Sequence, residues 1–173
     1  MFFRKATEND INSIEELFND VLTLEEKEPS VGWIRGVYPT RATAESALGR
    51  GDLFVQEDGG VLVGAAIINQ LQVDVYADAP WEYPAADREV MVLHTLCISP
   101  HTRGKGYGKA FAEFYEKYAL QNDCPYLRID TNARNFKARA LYKKLGYKEI
   151  DIVPCTFNGI DGVQLVLLEK CLK

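Results

Sequence analysis

Glycine stands at every second position of the run Arg103-Gly104-Lys105-Gly106-Tyr107-Gly108-Lys109. Three missing Cβ atoms allow successive backbone N–H groups to converge on one point. The pattern predicts that a helix opens at Gly106, and a helix start adds unpaired N–H groups and partial positive charge. Arg103, Lys105 and Lys109 contribute full charges. The chemistry this combination suits is the cradling of a pyrophosphate. It is not a P-loop, because Ala110 stands where the hydroxyl residue after the lysine is required. It fits a dinucleotide fingerprint poorly: the third glycine comes one residue early, and the acidic residue beyond it, Asp130, falls at the end of its strand. A glycine-rich turn without a ligand is the remaining alternative.

The elements around this loop read clearly. Phe2 to Ala6 forms a first strand, and Thr7 to Asp10 resembles a capping box with Asp in the usual Glu position. Ile11, Ile14, Leu17, Phe18, Val21 and Leu22 recur at helical spacing, and the charges from Glu25 to Glu28 followed by Pro29 close that helix. A shorter helix runs from about Thr43 to Leu48. Strands follow over Asp52 to Glu57 and Val61 to Leu71, joined by a turn at Asp58-Gly59-Gly60. Val73 to Arg88 is irregular and acidic. Glu89 to Ile98 is an apolar, buried strand that Pro100 terminates. The helix from Gly106 to Leu120 carries an aromatic stripe, a strand spans Tyr126 to Asp130, and a helix spans Asn135 to Leu145 with Gly146 as its C′ residue. Strands over Tyr147 to Val153 and Val163 to Glu169 turn at Asn158-Gly159. The order β-α-α-β-β-β-α-β-α-β-β predicts a mixed sheet with helices packed on it.

Composition bounds the rest. At 173 residues, with 47% hydrophobic and 26% charged, the chain suits one soluble domain over 1–173. The longest near-continuous apolar stretch, Val61 to Ile68, is far short of a membrane span. The start reaches charged residues without the apolar core of a signal peptide, so a cytoplasmic protein is expected. A net charge of -5 argues against nucleic acid or an anionic membrane as partner. Cys97, Cys124, Cys155 and Cys171 form no C-x-x-C pair, so no metal is expected and the cysteines read as reduced, mostly buried thiols.

Two motifs carry a resemblance. Arg103-x-x-Gly106-x-Gly108 resembles the [RQ]-x-x-G-x-[GA] signature of the GNAT superfamily of acyl-CoA N-acyltransferases. Asn135-x-x-Ala138-x-x-Leu141-Tyr142-x-x-x-Gly146-Tyr147 resembles its second signature, in the expected order roughly 30 residues on. The resemblance implies an α+β fold of three α/β/α layers, with a mixed, mostly antiparallel seven-stranded sheet splayed at its centre. It implies acetyl-CoA as co-substrate and transfer of its acetyl group to a primary amine of a small molecule or a protein. A non-catalytic CoA-sensing module of the same fold is the alternative. It also implies a homodimer, for which the apolar strand from Val163 to Leu168 offers a surface that would pair or pack across an interface.

The resemblance assigns residues too. The backbone of Leu96, Cys97 and Ile98 would pair with pantetheine, and the N–H groups of Gly104, Lys105, Gly106, Tyr107, Gly108 and Lys109, beside Arg103, would hold the pyrophosphate. A backbone N–H near Leu96 would polarise the thioester carbonyl. Tyr142 would donate a proton to the departing sulfur; read by itself, it is a core tyrosine on a buried stripe. Asn135 would contact CoA, or simply cap its helix. His94 would be the base, placed on the same face as Leu96 by strand alternation; alternatively it is only packed and hydrogen-bonded. Glu89, Asp130 and a water relay are further candidates for the base. Acceptor selection is expected from the first helices and the irregular segment, where Asp74, Asp78, Glu82, Asp87 and Glu89 surround Trp81 and Tyr83. An acidic, aromatic mouth suits a cationic amine; a solvated loop is the plain alternative.

Overall fold

The computed structural model describes residues 1–173. Strands β1 (Phe2–Lys5), β2 (Leu53–Asp58), β3 (Val61–Asn69), β4 (Val90–Ile98), β5 (Tyr126–Asn132), β6 (Lys148–Phe157) and β7 (Ile160–Cys171) form one sheet in the order β1-β2-β3-β4-β5-β7-β6. Only β4 and β5 run parallel; every other neighbouring pair is antiparallel. Helices α1 (Ile11–Lys27) and α2 (Arg41–Arg50) precede β2, while α3 (Tyr107–Gln121) and α4 (Phe136–Lys144) flank β5 in sequence. The expected order of elements and the seven-stranded mixed sheet are both present. The later strands run longer than their sequence suggests: β6 continues through Pro154 to Phe157, tolerable because β6 is an edge strand.

Three apolar clusters explain why these sequences form these elements. One face of the sheet packs Met91, Leu93, Leu127 and Ile129 against Phe111 and Tyr115 of α3 and Tyr142 of α4. On the other face, α1 and α2 cover β2 and β3 through Ile14, Phe18, Ala44 and Ala47. Beside them, Tyr76 packs with Val90, Val92, Leu165 and Leu167. The helical stripe of α1 and the aromatic stripe of α3 are thus the two sides of a three-layer sandwich.

Strand β7 differs from its expected use. It lies between β5 and β6, and its residues alternate between two buried clusters, Val166 and Leu168 on one face and Leu165 and Leu167 on the other. Its apolar run is explained by burial on both faces, so it has no free edge for pairing with a second copy. The capping box is as expected: Asp10 Oδ2 accepts from the Thr7 N–H at 2.7 Å and from its hydroxyl at 2.8 Å. Arg4 adds a two-pronged pair to the same carboxylate at 2.7 and 2.8 Å, tying β1 to the start of α1 and holding Asp10 well below the usual carboxylate range.

Gly64 on β3 is required by close approach. A Cβ there would lie 2.8 Å from Ile98 Cδ1, 3.0 Å from Gln56 Oε1 and 3.2 Å from the Cys97 carbonyl oxygen. Gly64→Ala should therefore lower stability by about 1–3 kcal/mol, the usual cost of overpacking. Urea unfolding of the two proteins measures it, and an unchanged midpoint would contradict the contact.

Candidate active site

Strands β4 and β5 are paired only from Val90 to Leu93 and from Tyr126 to Ile129. Beyond that point β4 stays with β3 and β5 stays with β7. The backbone groups on one edge of His94 to Ile98 have lost their partner strand, and the two strands diverge around a cavity of about 820 Å³. The Tyr115 hydroxyl of α3 reaches one carbonyl on each strand just before the split, Met91 O at 2.6 Å and Arg128 O at 3.2 Å. It clamps the strands where pairing ends.

A bulge shapes the exposed edge. His94 pairs with Ile67 and Cys97 with Ala65, so Thr95 and Leu96 together oppose Ala66. Thr95 has φ +51°, a left-handed conformation unfavourable for a β-branched residue. The Tyr38 hydroxyl bonds its side chain and so helps hold it. The extra residue reverses the alternation. Leu96 and Ile98 pack toward the α3 side, whereas His94 faces the α1 side with its partner Ile67. The expectation that His94 and Leu96 share a face is therefore corrected.

The cavity gathers the residues of both motifs. Leu96, Cys97, Ile98, Arg103, Gly104, Gly106, Tyr107, Gly108, Lys109, Asn135, Tyr142 and His94 all line it. Lys105 does not; it lies near Asp58, whose carboxylate Tyr107 and then the N-terminal amine and Lys105 hold below its usual range. The Tyr107 side chain is buried and its hydroxyl donates to Asp58, which leaves its backbone N–H for the cradle. Gly104 and Gly106 have φ +80° and +78°, and a Cβ on either would meet no atom within 4 Å. The glycines thus serve a backbone turn facing open space. Ala110, bonded to Gly106 O at 3.0 Å, is the first residue of the helix to find a helical acceptor, so the N–H groups just before it are free to bind an anion.

Asn135 caps α4, its Oδ1 accepting from the Ala138 N–H at 3.2 Å while its amide donates to Thr131 Oγ1 at 3.1 Å. Tyr142 packs edge-to-face on Tyr147 at 5.7 Å. Burial first, and the Asp130 charge second, push its phenol well above its usual value. His94 is occupied otherwise than expected: its Nε2 lies 3.0 Å from Asn69 Oδ1 and 3.1 Å from Leu71 O, both acceptors, so Nε2 carries the proton. Burial lowers its pKa to about 4, against a smaller opposing effect of the Leu71 carbonyl.

Three further features escape the sequence reading. The connection from α1 to α2 roofs the cavity. Glu25, buried, accepts from the N–H groups of Ser30, Val31 and Gly32 at 2.7–3.0 Å and so folds the chain back over the cleft. Gly32, at φ +80°, then passes so close to β5 that a Cβ would lie 2.6 Å from Asn132 Nδ2. Pro29 and Gly32 were the available signals. The irregular segment is also used differently. None of Asp74, Asp78, Glu82, Asp87, Glu89, Trp81 or Tyr83 lines the cavity. Trp81 instead stacks under the Arg128 guanidinium, 4.1 Å from ring centroid to Cζ, in a separate shallow pocket. What this segment does deliver is Tyr76, whose hydroxyl donates to Asp130 Oδ2 at 2.7 Å. Burial raises Asp130 to about 6, partly offset by that bond.

The sheet splays beside a glycine-rich helix start, an α/β architecture with room for an extended, anionic ligand. The chain belongs to the acetyltransferase (GNAT) family, whose model matches residues 18–147. An uncharacterized N-acetyltransferase of Bacillus subtilis is 37% identical over 62 residues, covering 36% of this chain and 42% of that protein. Streptothricin acetyltransferase of Escherichia coli is 29% identical over 105 residues, covering 61% and 52% respectively. The chain thus spans about half the length of the curated relatives it matches. A GNAT-family acetyltransferase structure from Streptococcus agalactiae superposes with a TM-score of 0.85 at 24% identity, over 99% of this chain and 95% of that one. A Salmonella typhimurium structure described with its cofactor acetyl-CoA superposes at 0.69 with 18% identity, over 99% and 94%. No helix is long and apolar enough to cross a membrane.

Two half-buried groups titrate in opposite senses. Asp130 rises from 3.8 to about 6 on folding, so the native state holds its proton longer and stability falls as pH rises through that window. His94 falls from 6.5 to about 4, so the unfolded chain takes the proton first and stability rises with pH from about 4 to 6.5. Asp130→Asn removes only the first effect. Its stability relative to the parent should increase by about 2–3 kcal/mol between pH 4 and pH 7. Urea unfolding at both pH values measures the difference, and a pH-independent difference would refute the shift.

Proposed function

We propose that the protein is an acetyl-CoA-dependent N-acetyltransferase that moves the acetyl group to a primary amine by direct attack, with both substrates bound together. The observation carrying this reading is one cavity that joins an anion cradle at a helix start to an unpaired strand edge. The donor set fits the nucleotide end of CoA: open space over Gly104 and Gly106, free helix-start N–H groups, and Arg103 and Lys109 lining the same wall. In this reading the N–H groups of Gly104, Gly106, Tyr107, Gly108 and Lys109 hold the pyrophosphate, that of Lys105 being turned to the Thr102 carbonyl at 3.4 Å. The open edge of Leu96, Cys97 and Ile98 takes pantetheine as an added strand, and Asn135 closes the far side.

Acetyl-CoA supplies an activated acyl group; the chain supplies position and proton transfer. The backbone N–H near Leu96, re-aimed by the Thr95 bulge, donates to the thioester carbonyl. Tyr142 is the acid for the departing sulfur. A phenol kept protonated by burial retains a proton to give at neutral pH. An acceptor of small-molecule type is favoured by the similarity to streptothricin acetyltransferase, and a protein acceptor by the likeness in fold to a ribosomal-protein-alanine N-acetyltransferase of Brucella melitensis. We read the protein as cytoplasmic and as a homodimer. With β7 internal, contact between copies falls to other surfaces, and sedimentation reads the mass directly.

Free-thiol release from acetyl-CoA over a panel of amines, with CoA and NAD binding measured in parallel, tests the activity. CoA binding without thiol release on any amine would favour a sensing module instead. Gly106→Asp should abolish CoA binding while the thermal transition persists, because it places negative charge at the cradle. Unchanged affinity in the folded variant would remove the assignment. Tyr142→Phe keeps the packed ring and loses the proton donor. Turnover should drop roughly 10²- to 10⁴-fold with CoA affinity preserved, and full turnover under chemistry-limited conditions would exclude Tyr142 as the acid.

A further inference from the structure

Asp130 is a half-buried carboxylate without a basic partner. It sits one residue past Ile129, the last β5 residue paired with β4, and it lines the cavity. Ile129 faces the α3 side, so Asp130 faces the opposite side, where Tyr76 packs. One oxygen accepts from the Tyr76 hydroxyl at 2.7 Å. The other bonds no group of the chain and is not sealed from solvent, so it is open to the cleft. The basic residues that line the cavity are engaged elsewhere or unpaired: Arg103 lies 3.5 Å from Glu28 and Lys109 lies 3.3 Å from Glu113, while Arg134 and Lys137 make no ion pair. An uncompensated carboxylate in such a place is costly and calls for a cation that arrives from outside.

From this placement, and resting on the acetyltransferase reading, we propose that Asp130 binds the acceptor as a primary ammonium and takes its proton, with Tyr76 as the positioning residue. The groups that sense the Asp130 charge, Tyr76 from the β3–β4 connection, Tyr38 from the roof, Tyr142 on α4 and Cys155 on β6, are neutral near pH 7. Arg128, the cation on the same face of β5, is turned onto Trp81 and bonds Gln72. In these surroundings an ammonium and a carboxylate lose hydration together, which lowers the pKa of the first and raises that of the second until the proton can pass. The proton count closes. One ammonium proton goes to Asp130 and then to solvent. The second leaves the nitrogen as the C–N bond forms and the C–S bond breaks, and it replaces the proton that Tyr142 gives to the sulfur. Base and acid thus reach the reacting centre from opposite faces of the parted sheet. His94, with Nε2 committed to two acceptors, keeps the strand edge in place instead.

The test compares n-butylamine, a strong base, with trifluoroethylamine, a far weaker base already neutral at pH 7. Asp130→Asn should lose about 10²-fold or more of the butylamine rate, and less than about 10-fold of the trifluoroethylamine rate. Calorimetry should show butylammonium binding to the CoA complex of the parent and not to that of the variant, with CoA affinity equal in both. Tyr76→Phe removes the bond that favours the ionised carboxylate, so the acid limb of its kcat/KM profile should move to higher pH. The proposal is overturned if Asp130→Asn keeps the butylamine rate or loses both amines equally. It is also overturned if His94→Gln alone shows the amine-dependent loss, or if the parent's CoA complex neither binds nor acetylates butylamine. Failure of the parent to bind CoA would instead overturn the acetyltransferase reading.

Discussion

The structure depends on one broken pairing. Strands β4 and β5 are held together for four residues each and then part, leaving the inner edge of His94 to Ile98 without a partner strand. Unpaired backbone inside a protein is costly unless a ligand or water satisfies it. Much of the surrounding architecture bears on that gap. Tyr115 pins the last paired turn of both strands from the α3 side, Glu25 folds the roof across it, and the glycine loop opens a helix at one end of it. The edge that would be a liability on an exterior strand becomes, within the cleft, a template for an extended ligand.

The two faces of the sheet divide the labour. The α3–α4 side carries the cradle and Tyr142, both placed by helices whose stripes bury deeply. The opposite side carries His94 and Asp130 from strands β4 and β5, joined by Tyr38 and Tyr76 from loops. Helix starts position the cradle, the part of the site proposed to hold the cofactor. Loops add the two tyrosines to that second side, where packing constrains sequence least.

How much was legible follows from the range over which each signal acts. The glycine alternation, the cap at Asn135 and the helical stripes are local patterns, and they gave the loop, the helix starts and the order of elements. Element ends were less legible: β6 runs on to Phe157 because its pairing with β7 outweighs the presence of Pro154. The Tyr76–Asp130 bond joins residues 54 apart and leaves no trace in either neighbourhood. The acidic segment was misleading for a related reason. Its carboxylates and Trp81 cluster in sequence, but the chain turns them outward or onto Arg128, and the segment reaches the site through Val73 at the cavity wall and the Tyr76 bond to Asp130. His94 escapes straight alternation because the backbone adds a residue at Thr95, which leaves no mark in the sequence.

That added residue has a consequence for how this chain is compared with others. A bulge is a change of reading frame written in side-chain direction: residues before Thr95 and residues after it obey opposite parities with respect to the two layers of helices. Two homologues, one with the bulge and one without, would show the same inward and outward pattern on each side and differ by a single position between. An alignment without a gap there would equate a residue facing α3 with one facing α1, and would transfer chemical roles to the wrong layer. The gap belongs at Thr95, and roles assigned to β4 have to be carried over separately for the stretch up to His94 and the stretch from Leu96.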